Sequence, residues 1–182
     1  MKSRPFDPLH LDVEAFAKEG AELQGQWPLR ALDRLADAVH AECPLGDADV
    51  ANWRARGEYR PVRGAAPQVW LHVGADARLA LVCQRCLGPV EERIEAQRSF
   101  LFVHGEDTAA QLDADSEDDV LALTRSLDLR GLVEDELLLA LPLVPRHEAC
   151  PQPLPVADAA SPLDVPPNPF AALASLKRGP AK

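Results

Sequence analysis

Long apolar runs are missing from this chain. None approaches the roughly 18 residues that a membrane-spanning helix needs, and Lys2 and Arg4 are not followed by the apolar stretch of a secretory leader. The expectation is a cytoplasmic protein without a membrane partner. Aromatics are scarce, 5% with a single Tyr, so a core has to be built largely from Leu, Val and Ala. Basic residues are outnumbered, 19 Lys and Arg against 29 Asp and Glu, for a formal charge of −10. That deficit excludes a protein that coats nucleic acid indiscriminately, because such binding draws on many uncompensated cations. Any RNA must meet a local patch. No paired catalytic carboxylates, Ser-His-Asp arrangement or phosphate-cradling glycine loop stands out, so neither an enzyme nor a small-molecule substrate is expected.

What is present suffices for one globular core: 47% of the 182 residues are apolar. The first eighteen residues read as a short helix and Ala21 to Gln26 as a brief strand. "WPLRALDRLADAVHAE" spaces Leu29, Leu32, Leu35, Ala36 and Val39 as a second helix would. From about Asp49 to Val103 the period changes to two, with turns expected at Gly64 to Pro67, Gly74 to Asp76 and Gly88 to Pro89. Val69, Leu71 and Val73 share one face, as do Leu79, Leu81 and Cys83. The return strand sets Val90, Ile94, Phe100 and Phe102 against Glu91, Arg93 and Glu95. "HGEDTAAQLDADSEDDV" carries seven acids and no Lys or Arg and predicts a solvated loop over about 104–119. "LDLRGLVEDELLLALPLVP" predicts a helix capped by Asp128 and stopped at or near Pro142. The fold class is therefore α+β: an antiparallel meander, able to curl into a partly closed, barrel-like sheet, with flanking helices. Residues 1–150 form one domain in this reading, and 151–182 form a Pro/Ala-rich disordered linker and a short terminal segment.

Four cysteines in a reducing compartment are not expected to form two structural disulfides. Cys43 stands apart. Cys83 ends a strand and Cys86 sits on the turn before Gly88, as in a hairpin knuckle that presents two thiols to one point. "RHEAC" adds His147 and Cys150, completing a CxxC plus HxxC set that suits one structural zinc ion. Unligated structural thiols are the competing reading. Redox chemistry ranks below both: a thioredoxin-type CxxC opens a helix, whose N-terminus lowers the thiol pKa, whereas this one lies in a turn with only Arg85 nearby.

Three separated motifs, "CQRCL", "LVEDELLLALPLVPRHEAC" and "NPFAALASLKR", together resemble the YceD family, the large ribosomal RNA subunit accumulation proteins. The resemblance runs in order along most of the chain. It implies a non-enzymatic factor for synthesis, processing or stability of 23S rRNA, partnered by that RNA or its precursor directly or through a ribosomal or assembly protein. By position it carries the family motif onto Cys83, Arg85 and Cys86, onto Glu134, Asp135 and Glu136, and onto Asn168, Pro169, Phe170, Leu173 and Leu176. A zinc-stapled protein-interaction adaptor without RNA contact is the alternative, and a thiol oxidoreductase a third.

The most basic stretch is "WRARGEYRPVR". As a strand it puts Arg54, Arg56 and Arg60 on one face, candidates for phosphate contact, with Trp53, Ala55 and Tyr59 on the other. A plain solvated sheet face is the competing reading. At the terminus Asn168 and Pro169 suit a helix start, with Phe170, Leu173 and Ala174 at helical spacing after them, a marginal helix that would need a surface to dock on. In the late helix, phase puts Glu136 within the apolar stripe and Glu134 and Asp135 outside it. A buried Glu136 needs a cationic or N–H partner, for which Arg85 is the expected choice.

Overall fold

The structure, a computed structural model, describes residues 6–151. Its elements are α1 (Val13–Lys18), β1 (Glu22–Pro28), a 3-10 turn (Leu29–Ala31), α2 (Asp33–Ala36), β2 (Val50–Arg60), β3 (Gln68–Val82), β4 (Pro89–Val103), α3 (Glu106–Asp115), β5 (Asp119–Ala122) and α4 (Leu129–Leu139). The strands form one sheet in chain order. Neighbours β1 to β4 pair antiparallel, and β5 adds parallel to β4. The sheet is open, with β1 and β5 as its edges, so the barrel-like closure does not occur.

Register divides the sheet into two faces. The inner face carries Leu71 opposite Phe100, Ala77 opposite Ile94 and Leu81 opposite Val90, and helices α1 and α4 pack against it. The outer face carries Gln24, Arg54, Gly74 and Gln97 in one cross-strand row, with Asn52, Arg56, His72 and Ser99 in the rows beside it. This is the half-solvated alternation expected of an antiparallel sheet.

Three expectations are corrected. Gly74–Asp76 is not a turn: β3 runs through it, and Asp76 accepts a bond from Asn52 Nδ2 across the strands at 3.0 Å. Gly74 is there for space, since a Cβ would lie 2.8 Å from Nε of Arg54. The second helix is broken. Trp27 pairs with Ala51 in the sheet and stacks on Trp53, centroids 4.4 Å apart, so the strand continues to Pro28 and only Asp33–Ala36 is α-helical. The acidic loop is ordered into α3 and β5. Glu106 and Asp107 fall in the first turn of α3, where the positive end of the helix dipole favours them, and buried Ala109 anchors it.

The expected cap forms: Asp128 accepts from the N–H groups of Arg130 and Gly131 at 3.0 and 3.2 Å, and Asp12 likewise accepts from the N–H of Ala15 at 3.0 Å at the start of α1. The terminal segment with Asn168, Pro169, Phe170, Leu173 and Leu176, and the Pro-rich linker before it, lie outside the described residues.

The closest approach of helix to sheet is at Gly57, where a Cβ would lie 2.7 Å from Cα of Ala17. That obstacle is backbone and cannot rotate away. Gly57→Ala is expected to destabilise the domain by about 2 kcal/mol, the usual scale for overpacking, whereas Gly64→Ala, with open space around it, should cost only the strain of its positive φ. A denaturant titration of the two variants checks this.

Candidate metal centre and its supports

The turn from β3 to β4 is a compact knuckle. Cys83 N–H donates to the Gly88 carbonyl at 2.9 Å and Leu87 N–H to the Cys83 carbonyl at 2.9 Å, with Leu87 held at φ 61°. A left-handed non-glycine residue costs roughly 1–2 kcal/mol, so the knuckle persists because its hydrogen bonds fix it. After α4 the chain returns to this turn: the Gln84 N–H donates to the Pro145 carbonyl at 2.8 Å.

That return brings Cys83, Cys86, His147 and Cys150 together, with one donor atom from each all within 4.8 Å of one another. Cys83 and Cys150 sulfurs are 3.8 Å apart, and Cys86 Sγ is 3.5 Å from His147 Nδ1. Tetrahedral bonds of about 2.3 Å from sulfur to a zinc-sized ion imply sulfur separations of roughly 3.8 Å. The ring is also suitably oriented: its Nε2 is 2.9 Å from the Pro89 carbonyl, which can only accept, so Nε2–H donates there and Nδ1 faces the sulfurs. The four side chains could hold a metal ion.

Arg85, between the two cysteines of CxxC, does not reach Glu136. Its Nε–H donates to Cys150 Sγ at 2.9 Å, and Nη2 donates to the carbonyls of His147 and Glu148 at 2.9 and 3.1 Å. The guanidinium thus clips the HxxC segment to the knuckle. Burial raises the Cys83 thiol pKa, but backbone N–H bonds from Arg85, Cys86 and His147 outweigh it and bring the value down to about 5. For Cys86 the Gly88 N–H works downward. Burial and the neighbouring sulfurs of Cys150 and Cys83 prevail, and its pKa is raised. Such a set favours one thiolate while resisting further negative charge, the condition that a bound cation relieves.

Helix α4 positions the returning segment, and its carboxylates attach it. Glu136 is buried, 7% exposed, and its partner is Arg98 of β4 at 3.3 Å. Arg98 lies opposite Val73 on the inner face, between Ala96 and Phe100, and this charged interruption of an apolar row was the available sequence signal. Burial raises the Glu136 pKa, with Arg98 acting against it. Glu134, expected to point outward, is also buried, at 8%. Its Oε1 accepts the backbone N–H groups of Arg34 and Leu35 at 2.8 and 3.1 Å, and its Oε2 accepts from the Arg34 guanidinium. The reason is tertiary: α2 lies beside α4 and presents its unpaired N-terminal donors to a carboxylate a hundred residues away. Asp135 is half exposed and pairs with the same Arg34. Nothing in the local sequence marks Arg34 for this role.

The arginine row lies on the outer face, apart from the metal centre. Arg56 is 3.5 Å from Glu22, and Arg60 bonds Glu58 at 2.9 Å and lies over the Trp70 ring. Among the described residues Arg54 has no carboxylate partner within 4 Å.

A family model described as Large ribosomal RNA subunit accumulation protein YceD matches residues 71–177, from within β3 through both halves of the cysteine set and α4. A Haemophilus influenzae protein named Large ribosomal RNA subunit accumulation protein YceD is 32% identical over 176 residues, covering 94% of this chain and 96% of its own. No solved structure matches the chain.

The α4 carboxylates have separable consequences. Glu134→Ala leaves two backbone donors of α2 without partners and is expected to cost about 2–3 kcal/mol. Glu136→Gln keeps an acceptor for Arg98 while removing a buried charge, and should change stability by less than about 1 kcal/mol. Because the folded pKa of Glu136 is raised, its ionised form carries a penalty above that pKa, and the penalty disappears as pH falls through it. The stability of Glu136→Gln relative to the parent should therefore be best near about pH 8 and decline toward about pH 4. Urea titrations of both variants at the two pH values measure this.

Proposed function

The chain belongs to the YceD family, and on that premise we propose that it is a non-enzymatic ribosome biogenesis factor that supports synthesis, processing or stability of 23S rRNA. The observation that carries this reading is the match itself, which spans nearly the whole chain and nearly the whole of the relative named for large ribosomal RNA subunit accumulation. The partner in this reading is the 23S rRNA or its precursor, met directly or through a ribosomal or assembly protein in the cytoplasm. Among the described residues no helix is long and apolar enough to cross a membrane. Arg54, Arg56 and Arg60 provide the cationic contact, with Arg54 the one free to take a phosphate.

The metal in this proposal is zinc in a structural role. Three thiols and one imidazole form a closed set with no position left for substrate. When bound, zinc supplies a cross-link between the knuckle and the segment after α4. Cys83, Cys86, His147 and Cys150 hold it, Arg85 offsets the excess negative charge of three thiolates, and the Pro89 carbonyl orients the imidazole.

A specific observation favours the zinc-stapled adaptor as a second reading. Leu87 on the knuckle, Leu139 at the end of α4 and Leu143 and Val144 on the return segment are all exposed, Leu143 to 99%. A protein partner would cover such side chains.

Two measurements test the proposal. Sequencing RNA crosslinked to the protein in growing cells should recover 23S rRNA or its precursor, and Arg54→Glu with Arg56→Glu and Arg60→Glu should lower both the crosslinking and large-subunit rRNA. Background crosslinking throughout would leave the adaptor. Protein purified without chelator should contain one zinc per chain by elemental analysis, and Cys83→Ser or Cys150→Ser should abolish it. Chelation should expose residues 145–151 to protease.

A further inference from the structure

The outer face of the sheet holds a groove of about 840 Å³, within the range of sites that enclose a small organic ligand. Its walls differ in balance. On one side are Arg54 and Arg56 of β2, with Glu22 of β1 3.5 Å from Arg56; on the other are Glu117 and Asp118, which follow α3 and precede β5, with Asp119 and Arg98 beside them. Glu117 and Asp118 are exposed. In the strand order β2-β3-β4-β5 the two walls are three strand spacings apart, about 14 Å before side chains narrow the gap.

The floor between them is low and polar. Gly74 contributes no side chain, and Arg54 leans over it from the neighbouring strand, its Nε 2.8 Å from where a Cβ would be. Gln97 is opposite Gly74, and Ser99 is opposite His72, whose ring is held by Ser99 at 2.8 Å and Glu58 at 3.0 Å. A smaller groove of about 320 Å³ shares Gln24, Arg54, Gly74 and Gln97 with the first, so the track continues toward Asn52 and Asp76.

A double helix presents phosphates on both flanks and would set one strand against the acids. A single strand does not. Its phosphates can follow the arginine wall while its bases, unpaired, turn their edges across the floor. A carboxylate at that edge accepts hydrogen bonds from exocyclic amino groups. Cytosine, adenine and guanine carry such groups on their pairing edges. Uracil has no amino group there; its one donor, N3–H, lies between two carbonyl oxygens that a carboxylate repels.

We infer that this groove binds single-stranded RNA, with Arg54 and Arg56 on the phosphates and Glu117 and Asp118 reading amino-bearing base edges against uracil. The inference rests on the proposed rRNA role and adds the strandedness and base class of the target. It also accounts for how a chain of charge −10 binds RNA selectively: the acids penalise any backbone that enters the wrong way round.

The test uses the full chain and two ribo-oligonucleotides of equal length and charge, (CA)6 and U12, with binding followed by fluorescence anisotropy. The phosphate contribution is the same for both. The parent should bind (CA)6 about tenfold or more tightly than U12, the scale of one good base-edge contact. Glu117→Gln with Asp118→Asn, both at exposed positions, should bind both oligonucleotides more tightly and reduce the difference to about twofold or less. Arg54→Gln with Arg56→Gln should weaken both alike and flatten the salt dependence. Equal affinity of the parent for the two oligonucleotides, or a preference that survives loss of the two acids, would overturn base reading by this wall while leaving RNA binding in place. No binding of either oligonucleotide at low salt would overturn the groove and the direct RNA reading together.

Discussion

A carboxylate withdrawn from water must find donors, and the arrangement of this protein depends on how α4 meets that demand. Glu134 is satisfied only where α2 stops, by two backbone N–H groups and one guanidinium, and Glu136 only beneath Arg98 of β4. These two requirements fix the rotation of α4 about its axis. Its apolar residues Leu129, Val133 and Leu137 set which face enters the core, but hydrophobic contact alone tolerates sliding. Directional bonds to charged groups do not, and they place the end of α4 where the chain can return to the knuckle.

The return segment has little else to hold it. Leu143 and Val144 are exposed, and the chain after α4 has no regular secondary structure up to residue 151. Its attachment is through a few polar contacts: the Pro145 carbonyl with Gln84, His147 with the Pro89 carbonyl, and the guanidinium of Arg85 with Cys150 and two carbonyls. Each is worth little once solvent competes for the same groups. A metal ion joining Cys83 and Cys86 to His147 and Cys150 would change the balance, because it would close a loop of more than sixty residues with bonds far stronger than any of these. The α4 carboxylates would then aim the segment that the metal retains.

The outer face works differently. Among the described residues it has no second layer over most of its area, and several of its charges compensate one another: Glu22 with Arg56, Glu58 with Arg60 and His72. Such exposed pairs contribute little to stability. Their effect is on the field. Among the described residues they leave Arg54 as the arginine of the row with no carboxylate within 4 Å, so any attraction for polyanions would be local rather than general.

The sequence by itself determined the meander, the Asp128 cap, the core face of the strands and the family, because each is written in short-range periodicity, in capping residues or in motifs of adjacent letters. Alternation of Val69, Leu71 and Val73 requires no knowledge of what covers them. The pairing of CxxC with HxxC was also legible, since metal ligands of that type and spacing have a limited set of arrangements. What only the tertiary structure decided was the identity of partners across the chain. Arg85 was expected beside Glu136 and instead serves the cysteines; Glu134 was expected in water and instead caps α2; and Gly74 was expected in a turn and instead clears a path for Arg54. In each case the deciding contact joins residues on different elements. An unpaired donor or a missing Cβ is invisible in local sequence until folding sets another chain segment against it.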